Sequence, residues 1–166
     1  MSAAILSALR ERFGDSIAAT HNYRGDETAV IAPDALIEIC HFLRDESPLA
    51  MKCLMDLTCV DYLGREPRFE VVYHLYSPTL RHRVRLKAPL TDGEDPQIDS
   101  VTQLWHSADW YEREAWDLYG VRFRGHPDLR RVLLYDQFVG HPLRKDYPKE
   151  RRQPLARRAP APDEET

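Results

Sequence analysis

Apolar and polar positions along the chain follow two different periods. Ile5, Leu6, Leu9 and Phe13 recur at helical spacing over residues 3–13, and Gly14 ends the run. Residues 16–23 and 27–32 predict two short strands around Arg24-Gly25-Asp26, a hairpin turn in which the glycine accepts positive φ. Pro33 then opens a second helix with Leu36, Ile37, Cys40 and Leu43 on one face, closed by residues 45–48. Three alternating segments follow, at 52–62, 69–76 and 81–87, the last setting Arg81, Arg83, Arg85 and Lys87 against Val84 and Leu86. A row of cations on such a strand fits a solvent-facing side and protection of a sheet edge. Residues 98–105 and 109–119 predict two further helices. In the second, Asp109 and Glu112 have capping-box spacing, Arg113 and Asp117 stand at i,i+4, and Gly120 takes the C′ position.

The order α-β-β-α-β-β-β-α-α, with short links between strands, predicts an α+β fold over residues 1–120: a mainly antiparallel sheet with helices packed on one side. The character then changes. Residues 121–150 carry recurrent prolines and only short apolar clusters such as Val132-Leu133-Leu134, so they read as an extended docking arm lying along its own domain or another protein. Residues 151–166 have the Arg/Pro/Ala/Glu composition of a tail that is disordered when free.

Charge sharpens that division. Residues 1–119 hold 12 Lys/Arg against 20 Asp/Glu, whereas 120–158 hold 11 against 4. A basic arm on an acidic body implies an anionic partner, be it protein, nucleic acid or lipid headgroup; a nucleic-acid-binding module using the arm is the alternative of another class, against which the acidic body argues. No apolar run approaches the roughly 18 residues of a membrane span. The first 15 residues read as an amphipathic helix rather than a secretory signal, which implies a cytoplasmic protein.

Candidate chemistry is sparse. Cys40, Cys53 and Cys59 lack the spacing of a metal or iron–sulfur ligand set and read as buried free thiols. The histidines show no HxxxH, HExxH or HxH spacing, and no Gly-rich nucleotide loop is present. Glu114 and Asp117 share a helix face, but no nucleophile or Gly-rich loop accompanies them, so a solvated charged face is the better reading. These patterns imply no catalytic, cofactor or metal residue in this chain. The most specific feature is a near-repeat: Gly125-His126-Pro127-Asp128-Leu129-Arg130-Arg131 is echoed by Gly140-His141-Pro142-Leu143-Arg144-Lys145-Asp146. Each copy offers a turn, an apolar anchor and a pair of cations suited to docking.

The stretch SADWYEREAWDLYGVRFRGHPDLRRVLLYDQFVGHPLRKDYP, residues 107–148, closely resembles the signature of the C-subunit of NADH–quinone oxidoreductase, the 30-kDa subunit family of respiratory complex I. Asp61-Tyr62 and Val71-Val72-Tyr73-His74-Leu75 extend the likeness, which covers most of residues 30–148. The resemblance implies an accessory component of the peripheral arm of a proton-translocating enzyme, on the cytoplasmic side of the cell membrane and touching the membrane only through the complex. It implies neighbours in the D-subunit, which helps form the quinone cavity, and in the iron–sulfur B- and I-subunits. FMN and iron–sulfur clusters would reside in partner subunits and none in this chain. Glu112, Arg113, Glu114, Trp116 and Asp117 would form the junction of domain and arm. Phe123, His126, Leu129, Arg130, Arg131, His141, Leu143, Arg144, Lys145 and Tyr147 would dock. The same role in a ferredoxin-dependent quinone reductase or a membrane-bound hydrogenase is a related reading.

Overall fold

A computed structural model describes residues 3–46, 48–91 and 93–154; the expected tail beyond residue 154 lies outside the described residues. Helix α1 (Ala3–Phe13) leads into a hairpin of β1 (Ile17–Tyr23) and β2 (Asp26–Ile31), then α2 (Leu36–Asp45). Strands β3 (Cys53–Asp61), β4 (Phe69–Ser77) and β5 (His82–Leu90), a short β6 (Gln97–Asp99), helix α3 (Ala108–Tyr119) and a short β7 (Arg122–Arg124) complete the described elements. The hairpin turn is as tight as expected: Arg24 and Gly25 both have positive φ, 54° and 86°.

The main sheet has the order β1-β2-β5-β4-β3. Neighbours pair antiparallel except β2 with β5, which are parallel. Alternation sends Phe69, Val71, Tyr73 and Leu75 of β4 and Val84, Leu86, Ala88 and Leu90 of β5 into one core with Ile5, Leu9, Leu36, Ile39 and Leu43 of the first two helices. The opposite face carries the charges. There Lys87 pairs with Glu70 at 2.8 Å and Arg85 donates to Thr28 Oγ1 at 3.3 Å. The basic row therefore lies on the central strand of the sheet, not on an edge, and neighbouring strands supply partners to Arg85 and Lys87. Cys40 and Cys59 are buried free thiols, while Cys53 is half-buried.

The helix expected at 98–105 does not form. Ile98, Val101 and Trp105 have the spacing of a helical face and are all buried, but residues 97–99 pair parallel with 122–124 as a two-stranded ribbon. Ser100 then closes a tight turn, its Oγ 2.8 Å from Thr102 Oγ1 and accepting the Thr102 N–H at 3.2 Å. A ribbon partner supplied from beyond Gly120 outweighs a local helical preference. Through it Val121 and Phe123 enter the core, 0% and 3% exposed. The physical limit of the body therefore falls a few residues past Gly120.

Candidate docking site around helix α3

Helix α3 starts after Ser107, with no side-chain cap, and ends on Gly120 at φ 77°. The capping-box spacing of Asp109 and Glu112 is not used as such. Glu112 turns inward, fully buried, and accepts the Val101 N–H at 2.7 Å, so it braces the turn that follows the ribbon. Its second oxygen and the Tyr73 hydroxyl, both buried, have no hydrogen-bond partner among the described residues. Burial pushes the Glu112 carboxyl up to about 7, with the Ser100 hydroxyl and Val101 N–H acting the other way.

Asp117, five residues on, is also fully buried, yet its surroundings are the reverse. Its Oδ2 accepts the backbone N–H of Val132, Leu133 and Leu134 at 3.1, 2.9 and 2.9 Å, and its Oδ1 accepts Arg131 Nη1 at 2.5 Å. Burial alone would raise this carboxyl, but the three N–H groups and the guanidinium together hold it below the usual carboxylate range. The expected Arg113–Asp117 pair on the helix surface is not made. Arg113 is 8% exposed and donates instead to the carbonyls of Arg130 and Arg131, both at 3.2 Å, with its guanidinium over the Trp110 ring.

The two near-repeats clasp the two ends of this helix. In the first, the His126 side chain is buried and its Nε2 donates to the Asp109 carbonyl at 3.2 Å, while its Nδ1 accepts the Asp128 N–H. Leu129 packs on the core, and Arg131 reaches on from Asp117 to the carbonyls of Phe138 and Gly140. The second copy caps the C-terminus. An α-helix ends with carbonyls that lack intrahelical donors. Here the Gly120 N–H serves Trp116, His141 Nδ1 serves Asp117 at 2.9 Å, the Leu143 N–H serves Leu118 at 3.1 Å, and Arg144 Nε serves Tyr119 at 2.6 Å. Gly120 is required twice over: its φ is positive, and a Cβ there would lie 2.6 Å from the His141 ring and 2.8 Å from Arg144. Burial, ahead of the two neighbouring guanidiniums, lowers the His141 pKa, which suits a neutral ring that donates from one nitrogen.

A third clamp ties the arm to the end of the sheet. Arg68 grips the buried Asp61 with two bonds of 2.9 Å and reaches Asp146 at 2.8 and 3.1 Å. Asp61 also accepts the Lys145 N–H at 2.7 Å. Arg68 and Arg144 both lie over the Phe69 ring. Tyr147 stacks on Phe138, which sits beneath Arg131.

The expected junction and docking residues thus separate by direction. Glu112, Arg113, Asp117, Phe123, His126, Arg131, His141 and Arg144 are engaged inside the chain, with Trp116, Leu129 and Tyr147 half-buried beside them. Glu114, Arg130, Leu143 and Lys145 point outward. Sequence reasoning missed Asp61 and Arg68, which anchor the arm, and the exposed apolar side chains Trp110, Leu133 and Val139, at 62%, 62% and 49%. The Val132-Leu133-Leu134 cluster was a signal for Leu133; nothing local marked Asp61 as buried. Among the described residues no group of His, Cys, Asp and Glu side chains could hold a metal ion, and no helix is long and apolar enough to cross a membrane.

The family described as respiratory-chain NADH dehydrogenase, 30 Kd subunit, matches residues 29–153. The chain is 51% identical over 140 residues to the NADH-quinone oxidoreductase C-subunit of Citrifermentans bemidjiense, spanning 84% of this chain and 85% of that one. It is 43% identical over 158 residues to an NADH-quinone oxidoreductase C-subunit of Rhizobium etli, spanning 93% and 83%. In solved structures it shares its fold, with a TM-score of 0.76 at 20% identity over 90% of this chain and 86% of the other, with a chain of the membrane-bound sulfane sulfur reductase, an archaeal respiratory membrane complex.

Proposed function

The chain belongs to the family of the 30 kDa subunit of the respiratory-chain NADH dehydrogenase, and we propose that within a proton-translocating NADH–quinone oxidoreductase it is a scaffold of the peripheral arm that takes no part in the chemistry. Its relatives are subunits of NADH-quinone oxidoreductase, so electrons pass from NADH to quinone in the assembly. In this reading FMN and the iron–sulfur clusters belong to partner subunits. The chain sits on the cytoplasmic side, where its arm docks on the quinone-cavity D-subunit beside the iron–sulfur B- and I-subunits.

One observation carries this reading. Arg131, His141 and Arg144 of the arm are hydrogen-bonded within the chain, while Leu133, Val139 and Leu143, at 62%, 49% and 45% exposure, are left outward. Apolar side chains held in place by internal bonds lose little further entropy on docking, which makes them suitable interface anchors. Arg131, His141 and Arg144 then shape the surface, and Leu133, Val139, Leu143, Arg130 and Lys145 touch the partner.

The test is a double substitution, Leu133→Asp with Val139→Asp, in cells making the whole enzyme. Incorporation of the chain should fall at least tenfold, while quinone reduction per assembled complex stays unchanged. Normal incorporation with slowed turnover would overturn the scaffold role.

A further inference from the structure

The arm clamps one end of the sheet, where Asp61 pairs with Phe69 and Phe69 with Leu90. The other end is built from two turns. Because β2 and β5 run parallel, the 24–25 and 80–81 turns that precede them lie side by side, about 25 Å from the arm clamp at roughly 3.3 Å per residue along β4. Arg24, Arg81 and Arg83 converge there on a concavity of about 340 Å³. All three are exposed, and none forms an ion pair among the described residues. Arg24 and Arg81 sit at positive φ, 54° and 53°, so the turn backbone sets their direction. A second concavity, about 360 Å³, shares Asp26 and Arg83 with the first and continues over the outer face of the sheet. Leu80 and Met55, at 37% and 56% exposure, line this path, and Tyr23, at 66%, carries the Arg24 guanidinium over its ring.

We infer that this end of the sheet is a second docking surface, which takes an extended acidic segment of a partner polypeptide. Guanidinium forks match carboxylates with paired hydrogen bonds, and the interleaved Tyr23, Leu80 and Met55 give the segment's apolar side chains contacts that a lone anion would not use. The sheet edges favour a polypeptide over a lipid headgroup. On β3, Ser107 Oγ and Tyr111 Oη cover the carbonyls of Leu54 and Met55 at 3.3 and 3.0 Å. On β1, the opposite edge, residues 18–23 are almost all exposed, and the edge adjoins the Arg24 turn. Only an extended chain can use such backbone donors and acceptors. The inference rests on the chain being one component of an assembly, and it makes this chain a bridge: arm on one neighbour, arginine turns on another.

Two variants of the full chain separate the claims, one with a photo-crosslinking side chain in place of Leu80 and one in place of Leu133, each expressed with its partner subunits. The Leu80 position should yield a partner peptide with two or more carboxylates close together. Leu80 adducts only with lipid, only with this chain's own residues 155–166, or with nothing, while Leu133 captures a partner, would overturn the second surface and leave the role in the assembly standing. Failure at both positions would remove both. In parallel, Arg24→Asn, Arg81→Asn and Arg83→Gln together should cut retention in the salt-washed complex about tenfold. The melting temperature of the isolated chain should not change, because Asn accepts the left-handed backbone. Unchanged retention would count against the proposal.

Discussion

In the body, side chains such as Leu9, Ile31, Leu36, Tyr73 and Leu86 are sealed in one continuous core. Between residues 124 and 154 no apolar residue is fully buried, and yet the arm follows a defined path. The two regions are held by different forces. The body depends on apolar area removed from water. The arm depends on carboxylates of the body, Asp117 and Asp61, that receive its backbone N–H groups, and on α3 carbonyls that receive its side chains. Apolar burial tolerates small shifts, whereas an array of hydrogen bonds to buried charge fails when a single centre is removed. The arm should therefore be the more fragile region toward point substitutions.

The largest effect should come from Asp117→Ala. It strands Arg131 and three backbone N–H groups in a buried site, a cost of about 4 kcal/mol. Hydrogen exchange should show the arm opening while amides of β4 and β5 stay protected; collapse of both regions together would erase the distinction between them.

Next, the two α3 carboxylates should give the regions opposite responses to pH. Glu112 has a raised pKa of about 7, so its contribution is fully present below the ordinary glutamate range and is lost as pH rises through 7, at a cost of about 3 kcal/mol. Asp117 is depressed, so its contribution holds above the ordinary aspartate range and is lost as pH falls through its lower value. Acid should loosen the arm under conditions in which Glu112 favours the body. Glu112→Gln should flatten the fall in body stability between pH 5 and 8, as read by denaturant unfolding. An unchanged slope would mean Glu112 does not titrate there.

Gly120→Ala should cost about 2 kcal/mol, from strain at positive φ and from displacement of the His141 ring. It should raise exchange at the Leu143 amide more than at β4 amides. Arg68→Lys is the mildest. Losing the paired bonds to Asp61 and Asp146 should cost about 1 kcal/mol and show as faster proteolysis near residues 144–147.

What was legible in the sequence divides along the same line. Period-two alternation identified β3, β4 and β5, and the tight turn at Arg24-Gly25, marked by its glycine, placed β1 and β2 on either side of it. Ile98, Val101 and Trp105 misled because the same spacing fits a ribbon followed by a turn once β7 returns to pair with β6. The near-repeat identified the segments around α3, but not that they serve the helix itself. A capping-box spacing and an i,i+4 charge pair read alike whether the carboxylate faces solvent or the core. The turn at Val101, which donates to Glu112, makes that carboxylate a support of the body, and the return of residues 131–134 across the helix makes Asp117 a support of the arm.

The most direct test is hydrogen exchange on the isolated full chain at neutral pH, read at the amides of Val132, Leu133, Leu134 and Lys145, which donate to Asp117 and Asp61. If the arm is a preformed docking surface built by its own domain, these four amides are protected without any partner, and Asp117→Ala releases the first three. Exchange of all four at the rate of an unstructured peptide, with β4 and β5 still protected, would show that the arm takes its path only in the assembly and would contradict the account.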